Sequence, residues 1–382
     1  MQFAFEQGPI RPPSEAKSLL IRVTRNCPWN KCAFCHTYRG TKFQLRKVAE
    51  VKDDILTAKE MADKIRELSW KMGQGGSVNE HVVNYVYYHD SLYDYSFKNV
   101  AAWLYFGGTS VFLQDANTIL VKTNDLVEII SFIKEQFPSV DRITSYCRSH
   151  TASRKSVEEF VMLREAGLSR IHVGLESGYD PVLEFIQKGV TAQEHIEGGQ
   201  RIVAGGISLS EYVIPGLGGK RWSQGNAIET ARVLNQINPD FIRLRSLQVR
   251  RNTELYRLRE EGEFIALSDE EVVREIRLFI ETLDGIQSTV VSDHILNLLE
   301  ELEGKLPEDK ERLLGIIDRY FALPDEDRLI YRLGRRKGLY RSLDDLSDSR
   351  VYDSLKAIVD KYKQKEPGKL DRDLQRIMHT FI

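Results

Sequence analysis

From residue 104 to residue 249 the chain alternates between short β-type runs and single helices, and that rhythm limits the folds open to it more than any other feature. LYFGG (104–108) reads as a strand ending in glycines, and TNDLVEIISFIKEQF (123–137) as a helix opened by an Asn or Asp cap. RITSYCRS (142–149) follows as a strand, and SVEEFVMLREAG (156–167) as a helix closed by Gly167. SRIHVGLESG (169–178) is a strand, then come a helix through Ile186 and another over 192–205. ISLSEYVIPG (207–216) is a strand, NAIETARVLNQIN (226–238) a helix and DFIRLRSLQV (240–249) a strand. Strands separated by single helices require right-handed crossovers and a parallel sheet.

An earlier unit opens the series. SLLIRVT (18–24) is a β-type run, and apolar residues recur at helical spacing from Val48 to about Met72. Past about residue 262 strands are expected to stop. SDEEVVREIRLFIETL, SDHILNLLEELEGKL, PEDKERLLGIIDRYFAL and PDEDRLIYRLG all read as charged helices, two of them opened by Pro307 and Pro324. The expectation is an α/β protein: an N-terminal segment (1–17), a partial (β/α)6 TIM-like barrel (18–255) and a helical C-terminal extension (256–382).

Hydrophobic content of 42% and charged content of 29% suit a globular protein with a core, and a net charge of −2 supplies no field for nucleic acid or an anionic membrane. The first residues lack the basic and apolar regions of a secretory signal, and no apolar run approaches the roughly 20 residues a membrane span needs. Of four cysteines, Cys27, Cys32 and Cys35 fall within nine residues, CPWNKCAFC, which is no disulfide framework. A cytoplasmic location is expected, with neither membrane nor nucleic acid as partner.

Three thiolates on one short loop can hold a metal or an iron–sulfur cluster, yet clusters are normally held by four. A three-cysteine set leaves one iron open to an outside ligand, and an open metal position is where chemistry takes place. The structural alternative is zinc held by the cysteines with His36, although His36 directly follows Cys35 and adjacent ligands close one tetrahedron poorly. Cys147 reads as a small buried hydrophobe in a strand.

A strand, a three-cysteine loop with an aromatic residue (Phe34) before its last cysteine, and then β/α units together resemble the radical S-adenosylmethionine (SAM) superfamily. The spacing here is C-x4-C-x2-C, one residue longer than the usual C-x3-C-x2-C, and a similar run occurs in the radical SAM domain of the Elongator catalytic subunit. Phe106-Gly107-Gly108-Thr109-Ser110 resembles the GGTP segment of oxygen-independent coproporphyrinogen oxidases, which contacts the amino group of SAM. GLESG (174–178), with Glu176, resembles the fourth-strand GxQS or GxES element, and Glu211 resembles the acidic residue of the fifth-strand motif. The resemblance covers roughly residues 17–250. It implies a [4Fe–4S] cluster on Cys27, Cys32 and Cys35, SAM chelating the open iron, reductive cleavage of SAM, and hydrogen-atom abstraction from a substrate. It also implies an electron donor such as flavodoxin or ferredoxin.

Strand alternation adds residues independently of the resemblance. Ile242 and Leu244 should meet helices, which turns Arg243 and Arg245 to the other side. Glu176 and His172 share one side of their strand, and Tyr146 and Arg148 lie opposite Ile143. An interior holding Arg148, Glu176, Glu211, Arg243 and Arg245 is too polar to be packing alone; it suits a zwitterionic cofactor and an anionic or polar substrate. The cofactor-binding expectation is therefore Phe34, Gly107, Gly108, Thr109, Ser110, Arg148, Glu176, Glu211 and Arg243. The cluster Arg332, Arg335, Arg336, Lys337 and Arg341 reads as a solvated face, with an anionic ligand as its alternative. The leading expectation is a radical SAM enzyme of unassigned substrate. Its alternatives are a tRNA- or tetrapyrrole-modifying radical SAM enzyme and, in another class, a zinc-stabilised or redox-sensing binding module.

Overall fold

The computed structural model describes residues 4–89 and 92–365, together with 370, 373 and 374. Its strands are β1 (Leu19–Arg22), β2 (Thr24–Arg25), β3 (Gln44–Leu45), β4 (Ser110–Gln114) and β5 (Arg142–Cys147). They continue with β6 (Leu168–Glu176), β7 (Ser208–Val213), β8 (Phe241–Leu244), β9 (Thr289–Val291) and β10 (Gly304–Lys305). Eight form one sheet in the order β1-β4-β5-β6-β7-β8-β9-β10, while β2 and β3 make a separate antiparallel ribbon. Within that sheet the pairs β1–β4, β4–β5, β5–β6 and β8–β9 are parallel and β9–β10 is antiparallel. The α/β class expected from the alternation is what the chain adopts.

The chain divides into two compact units, Met1–Lys31, Thr37–Gly174 and Glu194–Ser210 in the first, Cys32–His36, Leu175–Gln193 and Glu211–Ile382 in the second. In the first unit, β4 is buried along its whole length and sits between β1 and β5, with Leu19 beside Val111 and Val111 beside Ile143. The helix Val48–Lys71 presents Val51, Ile55, Ala58, Met61, Ala62 and Ile65 to the core at the spacing read from the sequence. On the other side of the strands, Phe112, Tyr146 and His172 meet edge to face. Glu15 is fully buried beneath them and accepts hydrogen bonds from Ser18 (2.6 Å) and Arg142 (2.7 Å).

In the second unit, the GLESG segment shows why a glycine ends it. Gly178 donates its N–H to Thr230 Oγ1 at 2.8 Å, and Ser177 Oγ donates to Asn226 Oδ1 at 2.6 Å, both acceptors on the helix Gly219–Ile237. A Cβ on residue 178 would lie 2.8 Å from the Thr230 Cα. Gly178→Ala is accordingly expected to destabilise the protein by about 1–3 kcal/mol, the usual cost of overpacking. Equilibrium urea unfolding measures it; an unchanged midpoint would mean that the loop moves aside freely.

Five expectations are corrected. LYFGG is not a strand: Tyr95–Tyr105 is a helix, and Gly107 and Gly108 (φ 102° and 65°) end it, their N–H groups donating to Leu104 and Trp103 carbonyls. The strand follows, at Ser110–Gln114. Helix 123–136 is entered from Lys122 with no side-chain cap. Strands continue past residue 262 as β9 and β10, and 292–306 is a loop with a short strand rather than a helix. Its leucines, Leu296, Leu298, Leu299 and Leu302, are buried all the same. Pro324 caps Asp325–Arg336 instead of occupying its first turn, and Pro307 precedes a helix that begins at Lys310.

Candidate metal and cofactor site

The first unit holds Cys27 and both flanks of the cysteine loop. The loop begins where β1 and β2 end, and its flanks are tied to one carboxylate. Asp115, directly after β4 and fully buried, accepts hydrogen bonds from Arg22 Nη2 (2.7 Å) and from the backbone N–H of Asn26 (3.0 Å). The Tyr38 hydroxyl donates to its other oxygen. Asn26 immediately precedes Cys27, and Tyr38 follows the loop, so Asp115 fastens it at entry and exit. Burial raises the Asp115 carboxyl above its ordinary value, against the opposing pull of the Asn26 N–H and the Arg22 guanidinium. Trp29, within the loop, lies under the Arg148 guanidinium, 5.2 Å from its ring centroid, and Arg148 follows the end of β5. Cys147 is buried at that strand end, as read.

The second unit holds Cys32, Phe34 and Cys35. Cys35 donates its N–H to the Cys32 carbonyl at 3.2 Å, a tight turn that puts the two cysteines on one bend. Ala33 is the anchor between them. It is fully buried among Ile186, Ile214, Leu217 and Leu255, donates its N–H to Ile186 O (2.7 Å) and accepts from Leu255 N (2.8 Å). Phe34 packs against that cluster with the Lys188 ammonium 6.0 Å from its ring. Cys27, Cys32 and Cys35 are all partly exposed, and none of the four cysteines is in a disulfide.

Glu176 ends β6 in the left-handed region, φ 67°, and its carboxylate meets Lys188 Nζ at 3.1 Å. Such a backbone is uncommon for a side-chain-bearing residue and re-aims the carboxylate as the strand ends. Glu211, in β7, is buried completely, and its Oε2 has no hydrogen-bond partner among the described residues. Burial first, and the Glu176 charge second, push the Glu211 carboxyl well above its ordinary value, with Lys188 opposing. Burial thus favours the protonated form of Glu211, next to the lysine-paired Glu176, which places a potential donor beside an acceptor.

That difference has a pH signature. The native Glu211 holds its proton at pH values where the unfolded chain has released it, so stability is greatest below the ordinary value of 4.5 and declines as pH rises above it. The slope is about 1.4 kcal/mol per pH unit until the native value is reached. Glu211→Gln, which has the shape of the neutral acid, is expected to flatten the decline; urea unfolding between about pH 5 and about pH 8 tests this. Parallel profiles for both proteins would show that Glu211 is ionised in the fold.

Other expected residues are placed elsewhere. Arg243 and Arg245 do share one side, but both guanidiniums meet Asp293, at 2.5 and 2.6 Å, in the segment after β9. Burial would raise Asp293, yet the Arg245 and Arg243 charges outweigh it and hold its carboxyl below the ordinary range. Gly107, Gly108, Thr109 and Ser110 sit at the amino end of β4, where Thr109 O accepts from Arg142 N and Ser110 meets Ser18. Arg22, Asp115 and Arg148 sit at the carboxyl ends of β1, β4 and β5, the opposite edge of the same strands. The basic cluster is largely internal: Arg332 and Arg336 pair with Asp269, and Arg335 with Glu300. Asp115, Lys188 and Ala33 were missed by sequence reasoning. An acid directly after SVFLQ was the one available signal, hidden by the misplaced strand.

By its chemistry the donor set suits an iron–sulfur cluster: three soft sulfurs within nine residues, partly exposed and uncrosslinked. Among the described residues no three His, Cys, Asp or Glu side chains are gathered around one metal-ion position, the loop cysteines with or without His36 included. The His36 imidazole is held below its ordinary value by burial and by Arg250.

No family model matches the chain. Among curated proteins it is similar to the tRNA uridine(34) acetyltransferase of Methanocaldococcus jannaschii, 25% identical over 120 residues, 31% of this chain and 22% of that protein. The corresponding protein of Methanocaldococcus infernus is 24% identical over 136 residues, 35% of this chain and 26% of that one. The chain thus matches about a quarter of the length of these relatives. Among solved structures, Methanocaldococcus infernus Elp3 with an N-terminal deletion superposes with a TM-score of 0.40 at 14% identity, over 61% of this chain and 55% of that one. The cobalamin-dependent S-adenosylmethionine radical enzyme OxsB does so with a TM-score of 0.43 at 13% identity, over 94% and 57%. Among the described residues no helix is long and apolar enough to cross a membrane.

Proposed function

We propose that this chain is a radical SAM enzyme whose Cys27, Cys32 and Cys35 hold one [4Fe–4S] cluster. The observation that carries the reading is the three-thiol loop, clamped outside by Asp115 and inside by Ala33. The cluster, with SAM and an electron from a flavodoxin- or ferredoxin-type donor, supplies one-electron cleavage of SAM and so the means to take a hydrogen atom from substrate. The chain's own residues supply placement. Glu176 accepts hydrogen bonds from hydroxyl groups, the neutral Glu211 donates one, and Lys188 fixes the charge of Glu176. Arg148 covers Trp29 of the loop with a cation, and Phe34 offers an aromatic face beside Lys188. Gly107–Ser110 have no part in this assignment, because they lie at the other ends of the strands.

The test is anaerobic purification followed by reduction with dithionite in the presence of SAM. A brown protein with about four irons per chain, releasing 5′-deoxyadenosine and methionine, is expected. A colourless protein with stoichiometric zinc would refute the proposal.

Action on tRNA is a second reading, supported by the names of the two curated relatives. Against it stand the net charge of −2 and the internal pairing of Arg332, Arg335 and Arg336, which removes the most basic stretch from service to phosphates. Bulk tRNA in a gel-shift titration separates the two: salt-sensitive binding at micromolar protein favours tRNA, and none favours a smaller substrate.

A further inference from the structure

From Asn26 to Ala49 the chain carries five cationic side chains, Lys31, Arg39, Lys42, Arg46 and Lys47, and no acid, although its net charge is −2. The first unit gathers this stretch, apart from residues 32–36, around one small ribbon. β2 and β3 pair Thr24 with Leu45 and Arg25 with Gln44. The asparagines on either side of Cys27 extend that pairing: Asn26 Nδ2 donates to Lys42 O at 2.7 Å, and Asn30 Nδ2 to Thr41 O at 3.2 Å. Tyr38 O accepts from Thr41 N at 3.0 Å, so Arg39 and Lys42 ride on a tight turn beside the cysteine. The acids that reach the ribbon, Glu6, Glu50 and Asp54, are engaged by Arg22, Arg25 and Arg46. Among the described residues no acid pairs with Lys31, Lys42 or Lys47. Lys31, Arg39, Lys42 and Lys47 are all exposed. The Trp29 ring draws in two cations, with Lys31 Nζ 5.0 Å and the Arg148 guanidinium 5.2 Å from its centroid. Leu45, 57% exposed, adds an apolar contact to the same ribbon.

Most charge runs only solvate a face. Ordinary surfaces, however, intersperse the two signs, and this one shows a single sign around the loop that holds the thiols. A reductant reaches a cluster through a small, short-lived contact, and opposite charge is what speeds and orients such an encounter. Exposed apolar surface set among like charges suits a folded protein of the other sign. A nucleic acid strand calls for a longer track of cations than two paired strand residues can carry, and Leu45 offers nothing to a phosphate. We infer that the β2–β3 ribbon, with Lys31, Arg39, Lys42 and Lys47 as its charges and Leu45 as its apolar contact, docks an acidic electron-carrier protein. This partner's place rests on the radical SAM reading, since only a cluster gives its electron a destination. One electron crosses and no proton: the carrier is oxidised by one electron and the cluster is reduced by one.

The experiment uses the cluster-loaded chain with two acidic probes, a flavodoxin and, separately, a two-iron ferredoxin, at low ionic strength. Calorimetric titration with the oxidised carrier reads docking without turnover, and stopped-flow oxidation of the reduced carrier reads delivery of the electron. Saturable binding of at least one carrier is expected, weakening steeply as salt is added. Combining Lys42→Glu with Lys47→Glu is expected to weaken binding and slow delivery about tenfold or more. Release of 5′-deoxyadenosine driven by dithionite, which needs no dock, should stay within about twofold of the unchanged protein. Lys71→Glu, the same reversal about 35 Å from Lys47 along the helix Val48–Lys71, should alter none of these. If neither carrier binds, or if the double variant binds and accepts electrons as fast as the unchanged protein, the inference is overturned. It is overturned equally if bulk tRNA and neither carrier binds, and the double variant loses that binding, because the ribbon is then a nucleic-acid contact. A chain that holds no iron and cleaves no SAM with dithionite fails the underlying reading and the inference with it. One that does both yet ignores the carriers fails the inference alone.

Discussion

Replacing Cys27, Cys32 or Cys35 singly by alanine is expected to abolish iron loading and SAM cleavage, while Cys147→Ala leaves both intact. Each loop cysteine is one of only three thiolates available to a cluster that is normally held by four, so no spare ligand exists to take over. Losing even an outer-sphere partner of a metal ligand commonly costs ten- to a hundredfold, and losing the ligand should exceed that, by about two to three orders of magnitude or more. Cys147 is the internal control. It is a buried strand residue whose thiol fills space, so its truncation should cost about 1 kcal/mol of stability and no iron. Iron analysis and Mössbauer spectroscopy on the four variants, with 5′-deoxyadenosine release alongside, give the result directly. Wild-type iron content in any of the three loop variants would mean that the ligands are misassigned.

What could be read in the sequence, and what could not, divides along the range of the interactions involved. The helix 48–71 and strands β5, β6 and β7 carry their periodicity locally, and the structure has them where that periodicity put them. β4 does not alternate, because all five of its residues are buried, so nothing in SVFLQ marks it as half-covered. The neighbouring LYFGG then took its place, although a glycine pair in the left-handed region ends a helix as readily as a strand. The segment 292–306 misled in the opposite sense. Its leucines fit a helical period, but the carbonyls of residues 296–298 are satisfied by Arg335 and Arg336, which leaves the backbone no need of a helix. The same long-range capture explains Arg243, which alternation assigned to the right side while leaving its partner Asp293 invisible. Chemistry was legible where it is written in consecutive residues, as in the cysteine loop, and hidden where it depends on a residue elsewhere, as with Asp115 and Lys188.

Asp115 allows the sharpest test of how the fold supports the loop. Burial raises its carboxyl despite its partners, so the buried charge is costly and the contact with Arg22 offsets only part of that cost. Removing the acid is nevertheless expected to be severe. Asp115→Ala leaves the Asn26 N–H and the Tyr38 hydroxyl without their acceptor and takes from Arg22 one of its two carboxylates, Glu6 being the other, and should cost about 3–5 kcal/mol in urea unfolding. Asp115→Asn, which keeps an acceptor oxygen but not the charge, should cost about 1–3 kcal/mol. Pairing Asp115→Leu with Arg22→Met should restore much of the stability, because it removes the stranded charge along with its partner. It should not restore iron loading, because the residues that frame Cys27 and follow Cys35 still lack their common acceptor. That separation, stability recovered and iron still absent, is the signature of a positioning residue. If Asp115→Ala unfolds at the wild-type urea concentration and binds a full complement of iron, the loop is held by something else.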